Sequence, residues 1–467
     1  MITLMMSKNI ITAIFMLSFC LVASAQSIQE LIDMVDQNNL ELKVAELSGE
    51  QSTIITGTSQ TITSRVHSNN DLAAEYIKEQ LEALPNLTVN YQNFNTAGKN
   101  VIATQLGQTN PDNIYIVCAH YDSVTTYCAD DNATGVSAVL EIARILSTQC
   151  LDNTIIYALW DEEEVGLLGA DFYATQAADS TNGNTRDNII AVVNMDMVGF
   201  DGDAPGTPGD NDFDIDVRPY ANSLTIKDDL LDLFNSYSFN LNPIVVNPGT
   251  FSSDHSRFWL NDFSAVLVGE SWETNDQTPD YHTSGDRIDD IDFPYFTDIT
   301  KLVLAYMATK GGLLAIDNTV SQTETTLTAN LETAVYQWYN ADTDTPILNA
   351  TNREFTPTEN GLYSVEITIN GCTERSEAIP FNALSTAEFS KDEINVYPNP
   401  TTTYLIVESQ VNVELTIRII DVNGKQLRSI VSTKAITNID IQDLSAGVYF
   451  VSVNALNRKS TFQIVKE

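Results

Sequence analysis

A chain of 467 residues has room for about three domains at roughly 150 residues each, and an apolar content of 43% supplies an ordinary globular core. Acidic residues outnumber basic ones 63 to 23, for a formal net charge of −40. Such a chain repels polyanions, which excludes nucleic acid and anionic lipid surfaces as partners, and it offers carboxylates to hard or borderline metals.

Residues 1–25 read as a signal peptide. Lys8 is followed by an apolar stretch over 10–22 and then by Ala23-Ser24-Ala25 ahead of Gln26. The stretch is shorter than the ~20 residues that span a bilayer, and no later segment is apolar enough to cross one. A secreted or cell-surface protein with no membrane span is therefore expected. Loss of Cys20 with the signal leaves Cys118, Cys128, Cys150 and Cys372. Four scattered cysteines are not a disulfide framework; one bridge among Cys118, Cys128 and Cys150, or buried free thiols, are both open.

Ser27-Ile28-Gln29-Glu30 is a capping box, and the apolar period behind it predicts a helix to residue 47. A second helix is predicted over 71–84, with Leu72, Tyr76, Ile77, Leu81 and Leu84 on one side. Continuous apolar runs predict strands at 113–119, 154–160, 188–194 and 264–269. Between the first two lies a helix over 135–146, with Val136, Val139, Leu140 and Ala143 at core spacing. Alternating buried strands and helices give an α/β class, with a mixed, largely parallel sheet flanked by helices. Residues 200–219 carry three prolines and many aspartates, which predicts a surface loop; calcium on those aspartates is a secondary expectation.

After about residue 315 the texture changes to short alternating runs, such as 334–339 and 361–369. Residues 391–467 hold eight basic and eight acidic side chains, so the acidic excess lies ahead of them. The expected organisation is a catalytic domain over 26–315, then two small all-β sandwich modules over 316–388 and 389–467.

The chain has only four histidines, at 67, 120, 255 and 282. His120-Tyr121-Asp122, Asp130-Asp131-Asn132, Glu162-Glu163-Glu164, Asp196 and His282 each fall at the end of a predicted strand or in the loop it feeds. In an open α/β sheet that edge is where ligands bind. Imidazole and carboxylate together suit zinc, and a pair of zinc ions needs a bridging carboxylate and a nearby proton acceptor. Taken singly, each motif is also an N-cap, a solvated helix start or a strand end. Their shared placement is what points to a site.

These motifs resemble the zinc exopeptidases of the bacterial leucyl aminopeptidase type, relatives of glutaminyl cyclases and glutamate carboxypeptidases. The residues that carry the likeness are His120-Tyr121-Asp122-Ser123, Asp130-Asp131-Asn132-Ala133-Thr134-Gly135, Glu163-Glu164-Val165-Gly166-Leu167, Asn194-Met195-Asp196-Met197, Ser253-Asp254-His255 and Tyr281-His282-Thr283. The resemblance implies one zinc on His120 and Asp196, another on Glu164 and His282, and Asp131 bridging them. It implies Glu163 as general base, Asp122 orienting His120, Tyr281 as oxyanion donor, and a cis peptide after Asp131. Asp286-Arg287 departs from the family's commoner Asp-Thr. His255 is the rival ligand to His282, but Tyr-His-Thr matches the ligand motif and Ser-Asp-His a supporting one; His67 is read as structural. The tail, through Val396-Tyr397-Pro398-Asn399-Pro400, Asp421-Val422-Asn423-Gly424 and Ala446-Gly447-Val448-Tyr449, is similar to type IX secretion sorting domains. That implies contact with secretion machinery and outer-membrane export.

The expected activity is zinc-dependent hydrolysis of N-terminal residues from a peptide substrate. A glutaminyl cyclase or carboxypeptidase on the same fold, or a non-catalytic binding protein, are the alternatives. Two complete ligand sets favour hydrolysis over cyclisation, and intact Glu163 argues against a mere binding protein.

Overall fold

The computed structural model describes residues 27–467 apart from 182–183, 203–209, 275, 324, 370–371, 382–387 and 456–457. The signal-peptide reading and the middle of the 200–219 segment lie outside the described residues. Two units emerge: residues up to 317 with 368–374, and 318–367 with 375–467.

In the first unit Ser27 and Glu30 form the reciprocal capping box that opens helix α1 (Ile28–Asp33). The single helix expected to residue 47 is in fact two. Asp36 starts a new one by accepting from the Asn38 amide at 3.0 Å, and α2 runs over Gln37–Leu47. A small hairpin follows, β1 (Thr53–Ile55) with β2 (Thr58–Gln60), and then α3 (Asp71–Glu82).

The main sheet takes in β3 (Thr88–Asn93), β4 (Lys99–Gln105), β5 (Asn110–His120), β6 (Asn153–Trp160), β7 (Ile189–Met195), β8 (Asp212–Asp216), β9 (Asn242–Val246) and β10 (Ala265–Glu270). Their spatial order is β3-β4-β6-β5-β7-β10-β8-β9. The four central strands, β6, β5, β7 and β10, are mutually parallel; β4 and β8 join them antiparallel. All four parallel strands therefore end on one edge. Helices α4 (Gly135–Leu146), α5 (Leu168–Ala178), α6 (Ser223–Ser236), α7 (His255–Leu260) and α8 (Phe293–Gly311) supply the covering layers. One core cluster joins α4 and α8 through Val136, Val139, Leu302 and Val303 with Val117 and Val193; a second joins Ile116, Trp160, Val192 and Phe258. Strands that contribute to both clusters are covered on both faces, which is why they read as unbroken apolar runs.

One expectation fails here, and a choice left open for the cysteines is decided. Part of the expected surface loop at 200–219 is strand β8, and all five of its residues are buried. Its period of two was hidden by aspartates. Phe213 and Ile215 enter the core, while Asp214 accepts from the Ser271 hydroxyl at 2.7 Å and the Trp272 amide at 2.9 Å, and Asp216 from the Thr250 amide at 2.6 Å. Nor is the bridge among Cys118, Cys128 and Cys150. Cys150 is bonded to Cys372, 222 residues away, whereas Cys118 and Cys128 are buried free thiols. Cys118 points from β5 to Asn194 Oδ1 at 3.4 Å, out of reach of a local partner.

The second unit contains only β-sheets among its described residues. One three-stranded sheet includes Leu327–Ala329 and Glu354–Phe355, and a five-stranded sheet is centred on Val335–Asn340 and Gly361–Ile369. Trp338 is fully buried and stacks on Phe355 at 5.3 Å. Farther on, a three-stranded sheet (Ile394–Tyr397, Tyr404–Ser409, Ile436–Asp440) and a four-stranded one (Leu415–Asp421, Gln426–Ser432, Gly447–Ala455, Arg458–Lys466) share a core of Leu405, Val407, Ile417, Ile419, Val451 and Val453.

Candidate metal centre

At the shared end of β5, β6 and β7 the sequence-predicted residues meet. His120 closes β5, and its Nε2 lies 3.3 Å from Asp131 Oδ1 and 3.2 Å from Asp196 Oδ1. His282 Nε2 lies 3.3 Å from Asp131 Oδ2 and 3.2 Å from Glu164 Oε2. One carboxylate, Asp131, thus turns a different oxygen to each imidazole. Glu163 joins His120 and Glu164 in a third close group.

The local chain accounts for this convergence. Ala129–Thr134 is an irregular turn between β5 and α4 with a cis peptide at Asp131–Asn132. Asn132 donates to the Met195 carbonyl at 2.9 Å, and its Oδ1 accepts from the Gly135 amide at 2.9 Å and the Met197 amide at 3.3 Å. One side chain thereby fastens the Asp131 turn to the Asp196 turn. A Cβ on Gly135 would stand 2.3 Å from Asn132 Oδ1 and 2.4 Å from the Met195 carbonyl oxygen, so this close approach requires glycine. Asp122 accepts from the amides of Glu163 at 3.0 Å and Glu164 at 3.2 Å, fixing the β6 loop, while its own carbonyl lies 3.2 Å from His120 Nδ1. Ser253 donates to Asp196 Oδ2 at 2.6 Å and accepts from Asn194 at 2.8 Å. Glu162, Met197 and His282 take left-handed φ of 59°, 55° and 59°, a conformation that persists only where the surroundings fix it.

The donor set fits cations. With His120 Nδ1 donating to the Asp122 carbonyl, the neutral ring turns the lone pair of Nε2 toward two carboxylate oxygens. That arrangement is repulsive unless a proton or a metal lies between. Asp131 Oδ2 and Glu164 Oε1 are also buried without a hydrogen bond. Imidazole nitrogens with carboxylate oxygens suit zinc.

Electrostatics agree. Burial raises the Glu163 carboxyl, and Asp254, Asp196 and Glu164 raise it further against the pull of His120. Burial and Asp131 raise Glu164. Asp131 goes the other way: burial opposes its charge, but the two imidazoles outweigh it. Away from the ligands, burial lifts Asp161, Asp201 and Asp216 to about 6 each. An acid raised in the fold holds its proton where the unfolded chain has lost it, so stability is full below about pH 4 and falls as pH rises through 6. The metal-free chain should therefore melt several degrees higher at pH 4.5 than at pH 7.5 in a calorimetric scan; equal midpoints would show these carboxylates to be solvated.

Tyr281 is 41% exposed and stacks on the His282 ring with centroids 3.7 Å apart; Trp272, 47% exposed, meets Tyr281 edge-on at 5.2 Å. His255 joins none of the potential ligand groups among the described residues. It is buried, within 3.1 Å of the Thr250 carbonyl and edge-on to Trp259. His67 joins no potential ligand group among the described residues. Of the acidic segment at 200–219, Asp201 and Asp210 come together with Asp276.

Of three supporting residues, Arg65 escaped the sequence reading, while Asp254 and Asp286 were named there only as parts of motifs, with no role. Asp286, the departure from the family pattern, accepts from the amides of Asp130 at 2.7 Å and Asp131 at 3.0 Å. Asp254 is buried with neither carboxylate oxygen hydrogen-bonded. Arg65, also buried, donates to the carbonyls of Leu47 (2.8 Å), Tyr121 (3.0 Å), Tyr127 (3.0 Å), Cys128 (2.7 Å) and Asp131 (3.4 Å). Asp286 was visible as an Asp-Arg pair, but bonds to backbone leave no pattern in sequence. Arg65→Met keeps the apolar stem and removes the donor from five carbonyls, four of those bonds being buried, so it should cost about 3 kcal/mol or more; a urea midpoint within error of wild type would refute this.

Residues 100–307 match the family model described as peptidase family M28, and residues 395–467 match the secretion system C-terminal sorting domain. Similar proteins include a probable zinc metalloprotease of Pyricularia oryzae, 37% identical over 122 residues (24% of this chain, 23% of that one). Another, from Pyrenophora teres f. teres, is 28% identical over 202 residues (37% and 41%). The chain spans less than half the length of these curated relatives. Among solved structures, the LapA aminopeptidase of Legionella pneumophila superposes with a TM-score of 0.51 at 18% identity, over 63% of this chain and 78% of that one. At that identity it speaks for the fold alone.

Proposed function

We propose that residues 26–315, which include the peptidase family M28 domain, form a two-zinc aminopeptidase that removes N-terminal residues from peptides. Residues 316–388 and 389–467 follow as a β-sandwich module and an export module that engages secretion machinery, delivering the enzyme to the cell surface or beyond. The observation that carries this reading is Asp131, whose two oxygens face His120 and His282 respectively. His120 and Asp196 would hold one ion, Glu164 and His282 the other, and Asp131 both. Bound zinc supplies a Lewis acid and lowers the pKa of water to near neutrality.

The chain's own groups divide the remaining work. Glu163, beside the ligands but on none of the four short imidazole–carboxylate contacts, takes the proton of the attacking water and returns it to the leaving amine. Asp122 holds the Glu163 and Glu164 amides and the His120 ring. Tyr281, exposed at the rim, donates its hydroxyl to the oxyanion as the carbonyl is attacked. The sign of charge selects the substrate end. Binding a substrate carboxylate would need an unengaged cationic side chain, and the buried guanidinium of Arg65 is already committed to five backbone carbonyls. An α-amino terminus is favoured over a carboxylate.

A panel of three chromogenic or peptide probes tests the assignment on the zinc-loaded chain. Leucine p-nitroanilide should turn over, its N-acetyl form should be cut at least ~100-fold more slowly, and a peptide blocked only at its C-terminus should remain a substrate. Preference for a free carboxylate would make it a carboxypeptidase, and ring closure of N-terminal glutamine without hydrolysis would make it a cyclase.

A further inference from the structure

On the edge of the main sheet opposite the metal centre, a cavity of ≈ 220 Å³ lies among the early parts of β5 and β7 and the helices α6 and α8. Tyr115 and Ala191 line it, each five residues ahead of His120 or Asp196 on the same stretch of chain. At ~3.3 Å per residue the cavity is about 16 Å from the ligands, too far to share a bound molecule with them.

Its lining is chemically graded. Ala191, Ile226 and Tyr306 are buried, at 2%, 3% and 1% exposure. Asp229 and Lys310 are the charged residues of the lining, partly exposed and paired at 2.6 Å. Each keeps capacity beyond that pair. The ammonium has three donors, of which the pair uses one, and the pair engages only Oδ2 of Asp229. The Tyr306 hydroxyl, although its residue is buried, has no hydrogen-bond partner among the described residues. As a residue of the lining, Tyr306 brings a hydroxyl that can donate to a ligand.

We infer that this cavity is a second binding site for a small zwitterion with an apolar body, of the α-amino acid class. The carboxylate of such a ligand meets Lys310 and the Tyr306 hydroxyl, its ammonium meets the free oxygen of Asp229, and its side chain lies on Ala191 and Ile226. A monoanion would leave Asp229 repelling it, and a monocation would meet Lys310. Size restricts the ligand further: the volume is below the ~300–1,000 Å³ of pockets for drug-sized ligands, which suits a single residue. The inference stands on the cavity's own residues and not on the peptidase reading. If that reading holds as well, the ligand belongs to the same class as the released product.

Equilibrium dialysis of radiolabelled L-leucine against the full chain, purified with its metals, tests it. The double variant Asp229→Asn with Lys310→Gln preserves shape and removes both charges; it should weaken leucine binding at least tenfold. Tyr306→Phe, which removes one hydroxyl and is the milder change, should weaken it severalfold. His282→Ala, at the other edge, should leave it intact. 4-Methylpentanoate and 3-methylbutylamine, each with one charge of leucine, should compete at least tenfold less well. Unchanged binding in the double variant, loss of all binding in His282→Ala alone, or equal competition by either analogue would overturn the inference. Turnover of leucine p-nitroanilide, read separately, reports on the peptidase reading.

Discussion

Glu163→Gln is expected to retain two zinc ions per chain and to lose ~10²–10⁴-fold in kcat, with KM little changed. The amide of Gln fills the volume of the acid and leaves the backbone bond from residue 163 to Asp122 untouched. What it lacks is basicity. In the metal-free chain the Glu163 carboxyl is raised, first by burial and then by Asp254, Asp196 and Glu164. Two cations beside it would reverse the sign of that local field, so the group would ionise at neutral pH only when the centre is loaded. A base that depends on its metals in this way gives an acidic limb in the pH profile of kcat, and the Gln variant should lose that limb along with the rate. Metal content by atomic absorption separates the roles. Activity within tenfold of wild type would end the assignment of Glu163 as base, and a fall to one zinc per chain would make Glu163 a ligand.

The parts of the fold that were legible in sequence are those in which local pattern and burial agree. Helix α4 was expected over 135–146 and occupies those residues, because Asn132 and Gly135 punctuate its start and its apolar spacing is unbroken. The central strands β5, β6, β7 and β10 were legible as apolar runs because both their faces are covered. Strand β8 was not, since each of its aspartates has partners that lie far along the chain. Helix α5 reads Leu-Gly-Ala-Asp-Phe-Tyr-Ala-Thr-Gln-Ala-Ala, too rich in small residues to show an apolar stripe. The same division holds at the site. Residues whose type is unusual, such as two of four histidines beside acids, announced their place. Residues that act through backbone, Arg65 and Asp286, did not, for their chemistry is written in the carbonyls and amides they hold. The Cys150–Cys372 bond is likewise a fact of tertiary contact, to which spacing along the chain gives no clue.

Asp131→Asn is expected to lower the zinc content from two per chain to one or none, and to reduce turnover to below about one thousandth of wild type, the scale of losing an activated water. Asp131 is the residue on which both halves of the centre depend. Its Oδ1 faces His120 and its Oδ2 faces His282, each at 3.3 Å. Asparagine presents one acceptor oxygen and one NH2, and the NH2 cannot ligate. Whichever way the amide turns, one of the two ions loses a ligand and the bridge is broken. The loss is not one of folding. The turn itself is held by Asp286 on the amides of residues 130 and 131, by Arg65 on the carbonyl of 131, and by Asn132 on the neighbouring strand end. None of these bonds uses the Asp131 side chain. Circular dichroism and Cys150–Cys372 oxidation should therefore match wild type while metal binding fails. Asp196→Asn provides the contrast, since Asp196 contacts His120 and not His282 among the close pairs, and should weaken one ion selectively. Two tightly held zinc ions and near-normal turnover in Asp131→Asn would mean that no carboxylate bridge exists at this position, and the two-metal reading would fall with it.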